Sequence, residues 1–138
     1  MKKAGVDLDG VLTNFGFLSM KYVFPWFFYV LLFLIPPNRK MVEALRKWKN
    51  LEWFIYIISA RPKQGLIKKI TLFWLKIHEI PFDYLVLVGA EKGIAKRKLN
   101  AIKKAGVIFF IDDDEHVVEF LRVHGVKNAF LHKDKKGH

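Results

Sequence analysis

Two groups of acidic residues carry the first chemical signal in this chain. Near its start, Val6-Asp7-Leu8-Asp9-Gly10-Val11-Leu12 places two carboxylates one residue apart, where an apolar stretch gives way to a glycine. Residues i and i+2 of a strand share a face. Where the strand ends in a turn, two such carboxylates can converge on one ligand in different roles. Asp-x-Asp-Gly alone is unspecific, because calcium loops and ordinary turns share it. Far along the chain, Ile108-Phe109-Phe110-Ile111 runs straight into Asp112-Asp113-Asp114-Glu115. Four consecutive acids repel one another. A helix N-terminus accounts for Asp114 and Glu115. It accounts less well for acids that begin at the first residue beyond an apolar run. A divalent cation does, since hard cations choose carboxylate oxygens. The chain has only 13 acidic residues, so five of them at Asp7, Asp9, Asp112, Asp113 and Asp114 is a concentration rather than a scatter.

Two further features could serve such a site. Ser59 closes the run Ile57-Ile58-Ser59 and is followed by Ala60-Arg61-Pro62. A hydroxyl there can donate to an anionic oxygen, although serine in such a place is more commonly a cap or turn former. Lys92, Lys96 and Lys98 lie on a stretch of helical pattern. Most of them belong to a solvated face, and one could reach back toward the acids. The five histidines (His78, His116, His124, His132 and His138) show neither metal-ligand spacing nor a serine partner. The absence of cysteine excludes a disulfide framework, a thiolate metal site and a cysteine nucleophile.

The elements that must position these residues follow from hydrophobic patterning. Lys3–Leu8, Trp53–Ile58, Tyr84–Val88, Val107–Ile111 and Asn128–Leu131 are short, β-prone and nearly unalternated. Strands of that kind belong to a parallel sheet covered on both faces. Met41–Lys49, Gln64–His78, Ile94–Lys104 and Glu115–His124 carry apolar residues at helical spacing, the last ended by Gly125. Trp48, Trp53 and Trp74 fall on apolar faces and are most simply core. The alternation specifies an α/β fold: three layers, Rossmann-like, with a central parallel sheet of about five strands and helices on both faces. Ligands of such sheets bind beyond the carboxyl ends of the strands, where Asp7, Ser59 and Asp112 fall.

Length and composition set the wider bounds. At 138 residues, 52% hydrophobic and 15% aromatic, the chain reads as one ordered domain, 1–138. With 24 basic residues the formal charge is +11, which attracts phosphate-bearing partners in general. Met1-Lys2-Lys3 is not followed by the apolar core of a signal peptide, so a cytoplasmic location is the expectation. The run Phe15–Ile35, ended by Pro36-Pro37, breaks the α/β rhythm. It reads as an insertion or minimal cap at about 15–40 that packs on the domain or joins copies in a homo-oligomer. The competing reading is contact with a membrane surface, aided by Arg39, Lys40, Arg46, Lys47 and Lys49. A single crossing is disfavoured by Lys21 and Pro25 and would separate Asp7 from the sheet.

Taken together, Asp7-Leu8-Asp9-Gly10-Val11-Leu12, Ile57-Ile58-Ser59-Ala60-Arg61-Pro62, a helical lysine and Phe110-Ile111-Asp112-Asp113 resemble the four motifs of the haloacid dehalogenase (HAD) superfamily, in order. The match runs from Ala4 to Ala129, apart from the insertion, and is closest to the small nucleotidase-like phosphatases. The resemblance implies a Mg²⁺-dependent phosphohydrolase that cleaves a phosphomonoester through an aspartyl-phosphate. Asp7 would be the nucleophile, and Asp9 the acid toward the leaving group and then the base toward water. The pair of aspartates favours phosphate transfer over carbon–halogen chemistry. The Asp7 carboxylate, the Asp9 backbone carbonyl and Asp112 would hold Mg²⁺, with Asp113 orienting a metal-held water. Ser59 would bind a phosphoryl oxygen. Lys98, better spaced than Lys96 or Lys92, would neutralise charge. Asp114 departs from relatives that often carry arginine, serine or asparagine there, which bears on efficiency. The expected substrate is a phosphorylated small molecule or a nucleotide. The alternative is a catalytically weak HAD-fold module that binds or associates with membranes through the aromatic insertion. Nucleic acid is a less favoured partner, because the basic residues are spread over several helices and match no recognised motif.

Overall fold

The computed structural model of the 138-residue chain describes residues 2–13 and 33–133. Five strands form one sheet: β1 (Lys3–Val6), β2 (Phe54–Ser59), β3 (Tyr84–Leu87), β4 (Phe109–Asp112) and β5 (Ala129–Leu131). Their order is β3-β2-β1-β4-β5, and every pairing is parallel. The helices α1 (Arg39–Asn50), α2 (Gly65–Ile77), α3 (Ile94–Ala105) and α4 (Glu115–Val123) make the crossovers.

The sheet is covered on both sides, as the unalternated strands require. On one face Met41, Val42 and Leu45 of α1 and Trp74 and Leu75 of α2 pack with Val6, Ile55 and Ile57. On the other, Leu99 and Ile102 of α3 and Val117, Val118 and Leu121 of α4 pack with Ile58, Phe110 and Ala129. The central strand carries Gly5 opposite Phe110. A Cβ at Gly5 would stand 2.8 Å from the Phe110 ring, so the missing side chain lets that ring lie against β1. Helix ends follow local chemistry: Asn38 accepts from the Met41 N–H to start α1, and Asp114 accepts from the His116 and Val117 N–H groups to start α4.

The chain order reverses between β1 and β4. Successive strands run outward from β1 through β2 to β3, then return to β1's other edge with β4 and β5. That reversal opens a crevice at the carboxyl ends of β1 and β4. Thr13 and Pro37 form an antiparallel bridge, and the Asn38 N–H donates to the Leu12 carbonyl at 2.7 Å. The two legs of the insertion therefore meet at its base. Most of the insertion, residues 15–32 of Phe15–Ile35, lies outside the described residues, as does His138. No helix among the described residues is long and apolar enough to cross a membrane.

Candidate active site

The first strand ends one pair earlier than its apolar run, at Val6, and this shapes the site. The Asp7 N–H still donates to the Ile111 carbonyl at 2.8 Å, which ties it to β4. Beyond it the backbone turns on Leu8, whose carbonyl accepts from the N–H groups of Val11, Leu12 and Thr13. Gly10 takes φ +86°, a conformation that favours glycine. A Cβ there would fall 1.9 Å from Oδ2 of Asp113, so the glycine also makes room for that carboxylate.

Because of this turn, Asp7 and Asp9 do not converge on one partner. Asp7 faces the end of β4. Carboxylate oxygens of Asp7, Asp112 and Asp113 lie within 4.8 Å of one another. Lys98 reaches them from α3. Its Nζ is 2.6 Å from Asp112 and 3.2 Å from Asp7. It shares the inward face of α3 with Leu99 and Ile102, and it is 2% exposed. Lys92 and Lys96 are exposed, so the structure brings only Lys98 of the three to the acids. Asp9 turns instead to Arg61, whose Nη2 and Nε donate to its two oxygens at 2.7 and 2.8 Å. Arg61 is fully buried, and its Nη1 donates to Thr71 Oγ1 of α2 at 2.8 Å. Ser59, at the end of β2, is buried and accepts from the Arg61 N–H at 3.1 Å. Asp114, besides capping α4, donates its N–H to Asp112 Oδ1 at 2.9 Å.

These groups border a cavity of about 420 Å³ lined by Asp7, Asp9, Ala60, Ile94, Lys98 and the segment 112–117. Ala60 rather than Ser59 forms the wall on the β2 side. The electrostatics are unbalanced. The Asp9–Arg61 pair is neutral, while three carboxylates face one ammonium at the head of β1 and β4. Burial and the nearby charges of Asp112, Asp113 and Asp9 push the Asp7 carboxyl well above the ordinary carboxylate range, although Lys98 pulls it back. Burial and Asp112 push Asp113 up to about 6. For Lys98, burial favours loss of the proton, and the carboxylates of Asp7 and Asp112 outweigh it and hold the ammonium above its usual range. Two negative charges in excess, carried by oxygen donors of which two are buried, suit a divalent hard cation.

Sequence reasoning gave Arg61 no role, although its motif was plain. The available signal was a lone basic residue two positions past the end of a strongly apolar strand. Such a residue must either reach solvent or find a buried acid.

No family model matches the sequence, and no curated protein matches it. Solved structures do. A chain of the Pnkp1/Rnl/Hen1 RNA repair complex superposes with a TM-score of 0.74 at 20% identity, over 96% of this chain and 42% of the other. The HAD domain of the effector protein Lem4 from Legionella pneumophila gives 0.63 at 16% identity, over 99% and 87%. The D,D-heptose 1,7-bisphosphate phosphatase of B. bronchiseptica, solved with magnesium and phosphate, gives 0.57 at 11% identity, over 87% and 74%. This chain thus spans less than half of the first of these. At such identities the likeness establishes the fold, which is the α/β fold of the HAD proteins.

Proposed function

We propose that this protein is a Mg²⁺-dependent phosphohydrolase of the HAD superfamily that cleaves a phosphomonoester through a phosphorylated Asp7. The observation that carries the reading is the excess charge: among the described residues, Asp7, Asp112 and Asp113 facing the single ammonium of Lys98, at the carboxyl ends of β1 and β4. The magnesium in the heptose bisphosphate phosphatase supports that choice of ion. The Asp7 carboxylate, the Asp9 backbone carbonyl and Asp112 would hold it, with Asp113, whose carboxylate gathers with those of Asp7 and Asp112, beside the ion to orient its water. When bound it would supply Lewis-acid polarisation of the phosphoryl group.

An Asp7 oxygen attacks phosphorus as the bond to the leaving oxygen breaks. The departing oxygen takes a proton from Asp9. Water then attacks the phosphorus of the aspartyl-phosphate and gives a proton to Asp9, releasing phosphate and restoring Asp7. In its ion pair with Arg61 the Asp9 carboxylate carries no proton. To act as the acid it must release at least one of its two bonds to Arg61 and take up a proton from solvent, which the water step later returns to it. Lys98 offsets the charge that builds on the phosphoryl oxygens and Asp7. Ser59 accepts from the Arg61 N–H and lies behind Ala60, outside the cavity lining. In this arrangement it supports the turn that carries Arg61, and its O–H would meet a phosphoryl oxygen only if the Ala60 wall moved.

The substrate is a phosphorylated small molecule or a nucleotide. The solved neighbours point two ways, one being a heptose bisphosphate phosphatase and another part of an RNA repair complex. The deciding experiment is phosphate release from sugar phosphates, nucleoside 5′- and 3′-monophosphates and 3′-phosphorylated oligonucleotides. It is run with Mg²⁺, with chelator, and with Asp7→Asn beside the native chain. Release that needs both Mg²⁺ and Asp7 supports the reading. Release that persists in the Asp7→Asn variant overturns it.

A further inference from the structure

Helix α2 is apolar on two sides. Ile67, Trp74 and Leu75 are buried in the core. A second stripe, Leu66, Ile70, Phe73 and Ile77, follows the i, i+4, i+7, i+11 spacing of a single helix face. Leu66, Phe73 and Ile77 are exposed by 53%, 52% and 50%, so among the described residues nothing covers this stripe. Phe33 extends it, its ring stacked on Phe73 with centroids 5.7 Å apart, and the next residue, Leu34, is exposed. Contiguous exposed apolar surface marks an interaction site more often than an accident.

Charge selects the partner. Every charged residue of α2 is a lysine (Lys68, Lys69 and Lys76), all three are exposed, and Lys63 precedes the helix. The first acid is Glu79, beyond the His78 cap. Arg39 adds its field at that end, where partial burial, with Arg39 as the smaller cause, holds the His78 imidazole below its usual range. A second copy of the same face would set lysines against lysines on chains that each carry +11. An apolar stripe flanked along one edge by Lys69 and Lys76 instead matches the boundary between acyl chains and acidic headgroups.

We propose that this face of α2 docks on the surface of an anionic lipid bilayer, with Leu66, Phe73 and Ile77 entering the interface and Lys69 and Lys76, which flank them, meeting the headgroups. The inference does not depend on the catalytic reading, since binding is measured without turnover.

The test is flotation of the full chain with vesicles of phosphatidylcholine alone and of phosphatidylcholine with a third phosphatidylserine. The native chain should float with the mixed vesicles only, and rising salt should release it. Two variants are compared, Leu66→Gln/Phe73→Ser/Ile77→Ser and Lys69→Gln/Lys76→Gln, with circular dichroism to verify the fold. Each should lose at least about tenfold in the bound fraction. The lysine variant keeps the test decisive if the apolar one misfolds. Equal binding by the native chain and a folded variant overturns the proposal, because lipid would then be met elsewhere. So does equal flotation with both vesicle types, or a lipid-free dimer in sedimentation that the apolar variant dissociates.

Discussion

Both carboxylate oxygens of Asp9 are gripped by the guanidinium of Arg61, at 2.7 and 2.8 Å, in a pair that is almost wholly shut off from solvent. The clamp is held in turn from α2, through Thr71 and the Ile67 carbonyl that Thr71 bonds. A planar fork of this kind fixes the carboxylate in angle as well as position. Replacing Arg61 with lysine keeps the charge and loses the fork. Arg61→Lys should retain the fold and lose on the order of 10² in kcat, the scale of misplaced acid–base catalysis. Arg61→Ala leaves Asp9 buried without its partner and should cost about 3–5 kcal/mol of stability. Urea unfolding beside phosphate-release kinetics separates the two effects.

Asp7 sits in excess negative charge, and its removal should relieve the metal-free protein. Asp7→Asn, besides losing turnover, should melt no lower than the native chain in chelator, because Asp112 still pairs with Lys98 at 2.6 Å. The native chain should regain the advantage when Mg²⁺ is added. A variant that melts well below the native chain in chelator contradicts this account of the site.

The same crowding gives a pH dependence with a definite sign. The Asp113 carboxyl is raised from 3.8 to about 6 in the fold, chiefly by burial and Asp112. Between those values the folded chain keeps a proton that the unfolded chain has released. The stability of the metal-free protein should therefore fall as pH rises from about 4 to about 6 on this account, and level off above. Asp7, also raised by burial and by Asp112, contributes a fall of the same sign. The Lys98 ammonium, held above its usual range, stays charged throughout this window and adds no slope. Magnesium should reverse the trend, its stabilisation growing as the carboxylates ionise. Thermal melts from pH 4 to 8, with chelator and with Mg²⁺, test both halves.

Gly10 is the position where a single methyl group should be most damaging to metal binding. It combines φ +86° with a Cβ position 1.9 Å from Asp113 Oδ2. Gly10→Ala should cost about 1–3 kcal/mol in backbone strain and displace Asp113. Calorimetric titration with Mg²⁺ should show weaker binding than in the native chain. Gly65→Ala, with nothing within 4 Å of the new methyl, is the control.

Much of this architecture was legible because parallel strands must be apolar throughout. Phe54–Ser59 and Phe109–Asp112 announce themselves in that way, and the helices between them carry regular apolar spacing. Lys98 was the best-spaced of three candidates, and its burial settles which of them reaches the acids. The clamp was hidden for a physical reason. Arg61, Asp9 and Thr71 are linked by side-chain hydrogen bonds across three elements, and no local periodicity encodes such a link. The second apolar stripe of α2 was also invisible, because a helix buried on one side and apolar on another reads in sequence as simply hydrophobic.

The order in which the sheet is assembled from the ribosome outward has its own consequence. The strand that leads into Asp7 precedes the other four in the chain, yet it is the central one, and its neighbour β4 lies about a hundred residues downstream. Until residues 98–113 emerge, Asp7 has neither its lysine nor its companion carboxylates, and the Asp7 N–H lacks the Ile111 carbonyl it bonds in the finished sheet. A nascent chain that stops short of β4 therefore holds Asp7, Asp9 and Arg61 without the acids that complete the cluster. Arrival of β4 extends the sheet across β1 and completes the cluster in the same event.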